Sequence, residues 1–227
     1  MENVKNNLIS FGGGIFRLQK LKGFSLSEVL ITLVIIGVVA AITIPMLNQN
    51  IENQHYISAY KKMYSSLSQM YLRLKTDNGG NLEGIFSSND DYPRILQNYF
   101  VGAKVCQAGH NTDVCWHRKW YTYNGATITG LENNFSSLIL ADGSVMVFMH
   151  MSSSCTGSTE LTSNIGCARI RVDINGDRKP NRVGKDIFDF YILQDRLIAR
   201  GDPLSTTTID NESGWGKGYK ILAEGKL

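Results

Sequence analysis

The sequence lacks the residues from which most catalytic sites are built. It has only four histidines among 227 residues, and they are scattered along the chain. There is no serine-nucleophile motif and no pair of metal ligands at helical spacing, so no catalytic set can be assembled. Internal repeats and low-complexity tracts are also missing from the sequence. These absences predict a protein that is not an enzyme and needs no cofactor.

The sequence also lacks a charge excess outside its first 23 residues. That leader carries four cations, Lys5, Arg17, Lys20 and Lys22, against Glu2, a net charge of +3. The rest of the chain holds 19 Lys and Arg and 19 Asp and Glu, which cancel. A part of the chain without net charge gives no electrostatic reason for tight nucleic-acid binding, so no nucleic-acid partner is expected.

One long hydrophobic run follows the basic leader. Residues 29–44 contain no charge, and Phe24 to Leu47 contains a single ionisable group, Glu28. About 20 apolar residues in a helix span a bilayer, so this run is long enough to cross one. The positive-inside rule then keeps the leader in the cytoplasm and places everything beyond Leu47 outside.

The junction between leader and run has a distinctive form. It reads Lys20-Leu-Lys-Gly23, then Phe24-Ser-Leu-Ser-Glu28, with Pro45 further along the apolar run. This arrangement resembles the prepilin signal of the type IV pilin and type II secretion pseudopilin family. The resemblance implies cleavage after Gly23 and methylation of the new amino group of Phe24, both by a prepilin peptidase/N-methyltransferase.

Two simpler interpretations of the junction are weaker. An ordinary secretory signal has a shorter apolar core followed by a small-x-small cleavage site, and Ala40-Ala41-Ile-Thr-Ile-Pro is a poor one. A plain signal-anchor explains the hydrophobicity. It does not explain the coincidence of Gly23, Phe24, Glu28 and Pro45.

Glu28 allows two compatible interpretations. A carboxylate costs on the order of 2.5–3.5 kcal/mol at mid-bilayer, so it usually has a partner, and cleavage would create a cation at Phe24. Pairing between Glu28 and the amine of a neighbouring subunit would set the register of a polymer. Alternatively, Ser25 and Glu28 match the S-x-x-E capping box that opens a helix.

The helix is expected to continue to Thr76, with a kink at Pro45. Apolar and aromatic residues then recur at spacings of three and four, namely Ile57, Tyr60, Tyr64, Leu67, Tyr71 and Leu74, which predicts an amphipathic helix. Asp77-Asn-Gly-Gly80 predicts its end. Short strands and turns follow, including a hairpin around Asp142-Gly143.

The predicted fold class is therefore α+β, a long N-terminal helix on an antiparallel sheet. Its parts are a leader (1–23), a transmembrane and assembly half of the helix (24–47), an amphipathic half (48–77) and a β-rich head (78–227). An alternating strand at Ala168–Asp173 is expected to be half exposed.

Four cysteines lie beyond the apolar run, at Cys106, Cys115, Cys155 and Cys167. An even number outside the cytoplasm favours disulfides, and we expect the local pairs Cys106–Cys115 and Cys155–Cys167. Each would contribute on the order of 2–3 kcal/mol. A metal site that adds His110 and His117 to the first pair is the alternative, but its spacing is not a familiar zinc pattern.

Oxygen ligands alternate at Asp173, Asn175 and Asp177, as at the start of a calcium loop. The loop is not an EF-hand, because Arg178 and Gly184 stand where that motif has glycine and glutamate. Calcium binding and ordinary turn chemistry both remain open here. Nucleic-acid stacking by the segment 117–123, which interleaves cations and aromatics, is a further alternative to a strand.

The resemblance implies a structural subunit of a type IV pilus or a type II secretion pseudopilus. It would be held in the inner membrane, with its head in the periplasm or outside, and then polymerise through its helix on an inner-membrane assembly platform. Its partners would be copies of itself or related subunits. A minor tip subunit that acts as an adhesin or DNA-uptake receptor, and a simple membrane-anchored domain, are the alternatives.

Overall fold

The computed structural model describes residues 10–11, 14–15, 23–109, 119–155, 157–158, 165–203 and 214–227. The chain divides into two units, residues 1–49 and residues 50–227. The first unit contains a two-stranded ribbon, β1 (Ser10–Phe11) and β2 (Gly14–Ile15). Helix α1 (Leu26–Asp77) begins in the first unit and ends in the second.

The second unit continues after α1 with short elements. In chain order these are α2 (Asp91–Leu96), a 3-10 turn (Gln97–Tyr99), β3 (Lys104–Cys106), β4 (Trp120–Tyr121), β5 (Thr127–Ile128), α3 (Leu131–Asn134), β6 (Ser136–Ile139), β7 (Val145–His150), β8 (Gly157–Ser158), β9 (Ile165–Asp173), β10 (Ile187–Leu193), β11 (Leu197–Ala199) and α4 (Lys217–Glu224).

The first half of α1 is apolar on every side and exposed. From Leu26 to Gln49 only Ala40 is even half-buried. The hydroxyls of Thr32 and Thr43 donate to the carbonyl oxygens of Val29 and Val39, so neither leaves a polar group unpaired on the apolar surface. Among the described residues α1 is the one helix long and apolar enough to cross a membrane.

The second half of α1 is amphipathic, as predicted. Its buried stripe packs into the main core of the second unit, and consists of Tyr56, Ile57, Tyr60, Met63, Leu67, Met70, Tyr71 and Leu74. Tyr64 of the predicted stripe is only half-buried. The helix ends in a Schellman motif, in which Gly80 N donates to Lys75 O and Gly79 N to Thr76 O.

The core of the second unit lies against an antiparallel sheet. The strand order is β11-β10-β9-β7-β6-β3, with β8 paired to β9 as a seventh strand. The predicted hairpin is β6–β7, closed by a loop at Ala141–Gly143 in which Leu140 N donates to Ser144 O. Gly143 takes a φ of 87°, which explains why glycine follows Asp142 here. The α+β class is thus confirmed.

The expectation of a half-exposed β9 is wrong. One face of the sheet packs on α1, through residues such as Ile170 and Phe190. The other face is covered as well, by a second cluster that includes Trp120, Val147 and the half-buried Trp215. The alternating side chains of β9 therefore face two different buried clusters, and neither face of the strand is exposed to solvent. The more polar of the two faces carries buried charges.

Those charges form a compact network. Arg171 donates two hydrogen bonds to Asp189, at 2.8 and 3.2 Å, and Arg200 donates a third at 3.2 Å. The guanidinium of Arg171 lies 4.0 Å from the ring centre of Trp215, and that of Arg200 lies 5.0 Å away. Asp189 is fully buried and Arg171 nearly so. Cation–π stacking thus supplements a bidentate ion pair.

The sheet also carries an element that the sequence pattern did not indicate. Helix α4 is only eight residues long and packs by Gly218 and Ile221. A side chain at position 218 would meet the hydroxyl of Tyr60, so glycine is required for this approach. The short strand β3 was likewise not predicted, because three residues carry too little periodicity.

We expect Asp189→Asn to lower the free energy of unfolding by about 3–5 kcal/mol, because it leaves two buried guanidinium groups facing an uncharged amide. Urea unfolding of the detergent-solubilised chain measures this loss. The matched control is Asp142→Asn, which breaks the solvated pair with Lys62. That change should cost less than about 1 kcal/mol. Equal losses for the two variants would contradict the importance of the buried network.

The same pair predicts a pH dependence. Burial alone would raise the pKa of Asp189, but the charge and hydrogen bonds of Arg171, with Arg169 and Arg200, hold that pKa below its ordinary value. The stability that Asp189 adds is therefore full above the unfolded pKa of about 3.9 and is lost as the pH falls through the lower folded value.

The difference in unfolding free energy between the unsubstituted chain and Asp189→Asn should consequently stay constant from about pH 8 to pH 5 and shrink below about pH 4. Urea titrations across this range measure it. A difference that already declines near pH 6 would show that another group is responsible.

Candidate processing and assembly site

The junction at residues 23–28 forms a closed capping box. Ser25 N and Ser25 Oγ donate to Glu28 Oε2 at 2.8 and 3.0 Å, and Glu28 N donates to Ser25 Oγ at 3.2 Å. Val29 N donates to Ser25 O, which completes the first turn. The capping interpretation of Ser25 and Glu28 is therefore confirmed for this structure.

Capping engages only one of the two carboxylate oxygens. Among the residues that the structure describes, Glu28 Oε1 accepts no hydrogen bond, and the group is exposed. Phe24, four residues earlier in the chain, has 86% of its surface exposed. Glu28 can thus cap its own helix and still offer an oxygen to a cation from outside.

At two positions near this site, Gly23 and Gly37, neither local crowding nor the backbone conformation requires glycine. A side chain at Gly23 would meet no atom within 4 Å, and neither glycine has a positive φ. Gly37 likewise faces open space, although glycine costs about 1 kcal/mol relative to alanine inside a helix.

Pro45 does not end the helix, since α1 continues through it to Asp77. Proline removes one backbone donor, so Ala41 O loses its usual partner four residues on. The large apolar residues around the site are exposed on all sides: Leu26, Val29, Leu30, Leu33, Ile36, Val39, Ile42 and Leu47 all show at least 43% of their surface.

The cysteines are placed partly as predicted. Cys155 and Cys167 form a disulfide, which links the end of the turn after β7 to β9. Cys106 is buried in β3, and no described cysteine is free. Cys115 lies outside the described residues, as do His110 and His117, so the pair Cys106–Cys115 and the metal alternative both stay predictions.

The segment 173–186 is a tightly bonded turn. Asp173 is buried, and its Oδ1 accepts hydrogen bonds from Asn175 N and Gly176 N. Asp186 accepts from Asn181 N and Arg182 N at 2.7 and 2.6 Å. Burial raises the pKa of Asp186, against the effect of these donors.

Turn chemistry thus explains Asp173, whereas Asp177 is exposed. Among the described residues no group of three or more His, Cys, Asp or Glu is placed to hold a metal ion. Calcium binding by Asp173, Asn175 and Asp177 remains a prediction.

The described residues of the aromatic segment 117–123 contribute to the packing of the fold. Trp120 is 1% exposed and belongs to the second core cluster, so it cannot stack on a base. The ring of Tyr123 lies 4.4 Å from Lys217 Nζ. The strand interpretation is therefore correct for Trp120–Tyr121. His117 and Arg118 lie outside the described residues.

Comparison with known families agrees with this site. Residues 19–44 match the family model described as the prokaryotic N-terminal methylation motif. No curated protein and no solved structure matches the chain. The chain carries the methylation motif that is the signature of type IV pilins and pseudopilins. The motif implies processing by a prepilin peptidase and assembly with other pilin subunits.

We expect Gly23→Val to block processing without disturbing the chain, because the position is exposed and has room for a side chain. Immunoblots should show an unshifted precursor band, with unchanged membrane insertion. Gly37→Val serves as the control for adding the same side chain at an equally open position, and it should still be cleaved. A mature band from Gly23→Val would contradict the assignment of the cleavage site.

Proposed function

We propose that the protein is a prepilin, a structural subunit of a type IV pilus or a type II secretion pseudopilus rather than an enzyme. It is cleaved after Gly23, methylated on Phe24 and polymerised through the N-terminal half of α1. The observation that supports this most is the methylation motif placed at the start of the exposed, apolar half of α1.

The apolar half of α1 has two ways to leave water. Before assembly, lipid covers it, with the basic leader in the cytoplasm and the head in the periplasm or outside. After assembly, other subunits cover it by van der Waals packing, since lipid and leucine are equally apolar. Gly37 offers a shallow point at which a neighbouring helix can approach closely.

Glu28 supplies the directional element of assembly. Cleavage converts the peptide N–H of Phe24 into a cationic amine at the depth of the carboxylate. Glu28 Oε2 is already engaged by Ser25, which leaves Oε1 for the amine of an adjacent subunit. A charge pair in an apolar surrounding is much stronger than in water, so it favours one axial register over others.

The capping box allows the two roles of Glu28 to be separated. Glutamine can close the same box as glutamate, but it carries no charge. We expect Glu28→Gln to be inserted and cleaved normally and yet to yield at least about tenfold fewer sheared filaments, because the amine of the neighbour is left without a counter-charge in apolar surroundings.

Ser25→Ala is the matched control. It removes the cap from the same turn, at a cost of about 1 kcal/mol, and leaves the carboxylate in place. Filament yield from Ser25→Ala should stay near normal. Normal filaments from Glu28→Gln would refute the pairing, whereas equal loss in both variants would assign Glu28 to capping alone.

A further inference from the structure

Two adjoining parts of the second unit carry opposite charge. Residues 53–76 of α1, here called the basic stretch, contain no Asp or Glu and four cations, Lys61, Lys62, Arg73 and Lys75. Residues 77–93, here called the acidic segment, contain no Lys or Arg and four acids, Asp77, Glu83, Asp90 and Asp91. The neutral sum of the chain outside its leader therefore conceals a basic helix face followed by an acidic segment.

Most of these charges have no ionic partner in their own chain. Lys62 pairs with Asp142 at 3.0 Å, and Asp91 pairs with Arg94. The other six form no ion pair within the part of the chain that the structure describes: Lys61, Arg73, Lys75, Asp77, Glu83 and Asp90. Asp77 and Asp90 accept hydrogen bonds from neutral hydroxyls, which do not compensate their charge. Equal numbers of opposite charges thus remain unpaired.

The basic stretch presents its cations on the side of α1 that faces away from the sheet. Lys61 and Arg73 are exposed, and the neighbouring Leu72 shows 62% of its surface. Eleven residues make three helical turns, so Leu72 lies on the same side as Lys61. A protein interface commonly places an apolar side chain at its centre and polar or charged ones at its rim. This face of α1 has that composition.

The acidic segment lies at the opposite end of the sheet from the start of the basic stretch. Lys62 contacts Asp142 in the loop that joins β6 to β7. Asn89, within the acidic segment, accepts a hydrogen bond from His150 N at the other end of β7, at 2.6 Å. Along α1 itself, sixteen residues separate Lys61 from the acidic segment, a rise of about 24 Å. The two charged surfaces are therefore distinct and offset along the helix axis.

We propose that the acidic segment of one copy of the chain docks on the exposed face of α1 between Lys61 and Arg73 of a second copy. The proposal rests on the proposed polymer, in which the α1 helices of all subunits are parallel. In parallel copies, the two surfaces meet only after an axial shift. Because the contact joins two different surfaces, each copy is left free to engage a third, and the series stays open as a fibre requires.

Charge complementarity identifies the occupant of the basic face. That face requires a partner surface with several acids and few cations, and the acidic segment of a second copy has this composition. In a fibre this partner is present at the high local concentration of the subunit itself. Each exposed ion pair is weak, so the contact selects a register more than it supplies affinity.

The first test detects the contact directly. Two preparations of the full chain, one labelled with heavy nitrogen, are mixed in detergent and treated with a water-soluble carbodiimide. The reagent takes up one water and joins a lysine amine to a carboxylate as an amide when the two are in contact. Mass spectrometry should find Lys61 joined to Asp77 or Glu83 in pairs of one light and one heavy peptide. Pairs of exclusively matching isotopes would overturn the proposal.

The second test reverses the charges. Lys61→Glu and Glu83→Lys each place like charges across the contact, and each should lower the yield of sheared filaments about threefold or more. The double variant should restore most of the yield. Lys119→Glu is the matched control, because Lys119 is exposed and precedes Trp120 on the face of the sheet remote from α1. Its yield should stay normal.

The remaining outcomes separate this contact from the proposed polymer. Normal filaments from both reversal variants, loss without rescue in the double variant, or equal loss from Lys119→Glu would overturn the contact alone. Mixed cross-links from a chain that forms no filaments would support the contact and refute the polymer. Cross-linked species that stop at dimers would show a two-fold pair and overturn the open arrangement.

Discussion

The structure depends on one requirement: the apolar surface of the first half of α1 has to be removed from water, and the rest of the described chain does not bury it. From Leu26 to Gln49 every side chain of α1 except that of Ala40 is exposed in the part of the chain that the structure describes. Each large apolar side chain left in water forgoes about 1.5–3 kcal/mol. The second half of the same helix buries its apolar stripe within the chain, by packing on the sheet. One helix therefore contains a segment made for the head and a segment made for surroundings outside the chain.

Much of this division could be predicted from the sequence, because the spacing of apolar residues differs between the two halves of the helix. The change from an unbroken apolar run to spacings of three and four located the buried stripe at Tyr60, Leu67 and Leu74, and two glycines located the helix end. The junction from Gly23 to Glu28 could also be identified from the sequence, because each residue type there has a distinct physical role. The family match covers this same segment.

The sequence was less informative where the outcome depended on distant parts of the chain. The alternation in β9 predicts one exposed face, and nothing near Arg171 in sequence reveals that Trp215 and Asp189 enclose it. The loop between β9 and β10 illustrates a related limit. Its residues suggest a calcium site by spacing, but the hydrogen bonds that turn Asp173 and Asp186 inward become visible only in three dimensions.

The separation between α1 and its strands bears on how the head is made. Tyr71 Oη donates to the carbonyl oxygens of Leu193 and Gln194, more than 120 residues later in the chain. The aromatic stripe of α1 therefore lacks its binding surface until most of the second unit has been synthesised. Contacts of such high sequence separation form slowly, and the uncovered stripe is prone to aggregate meanwhile.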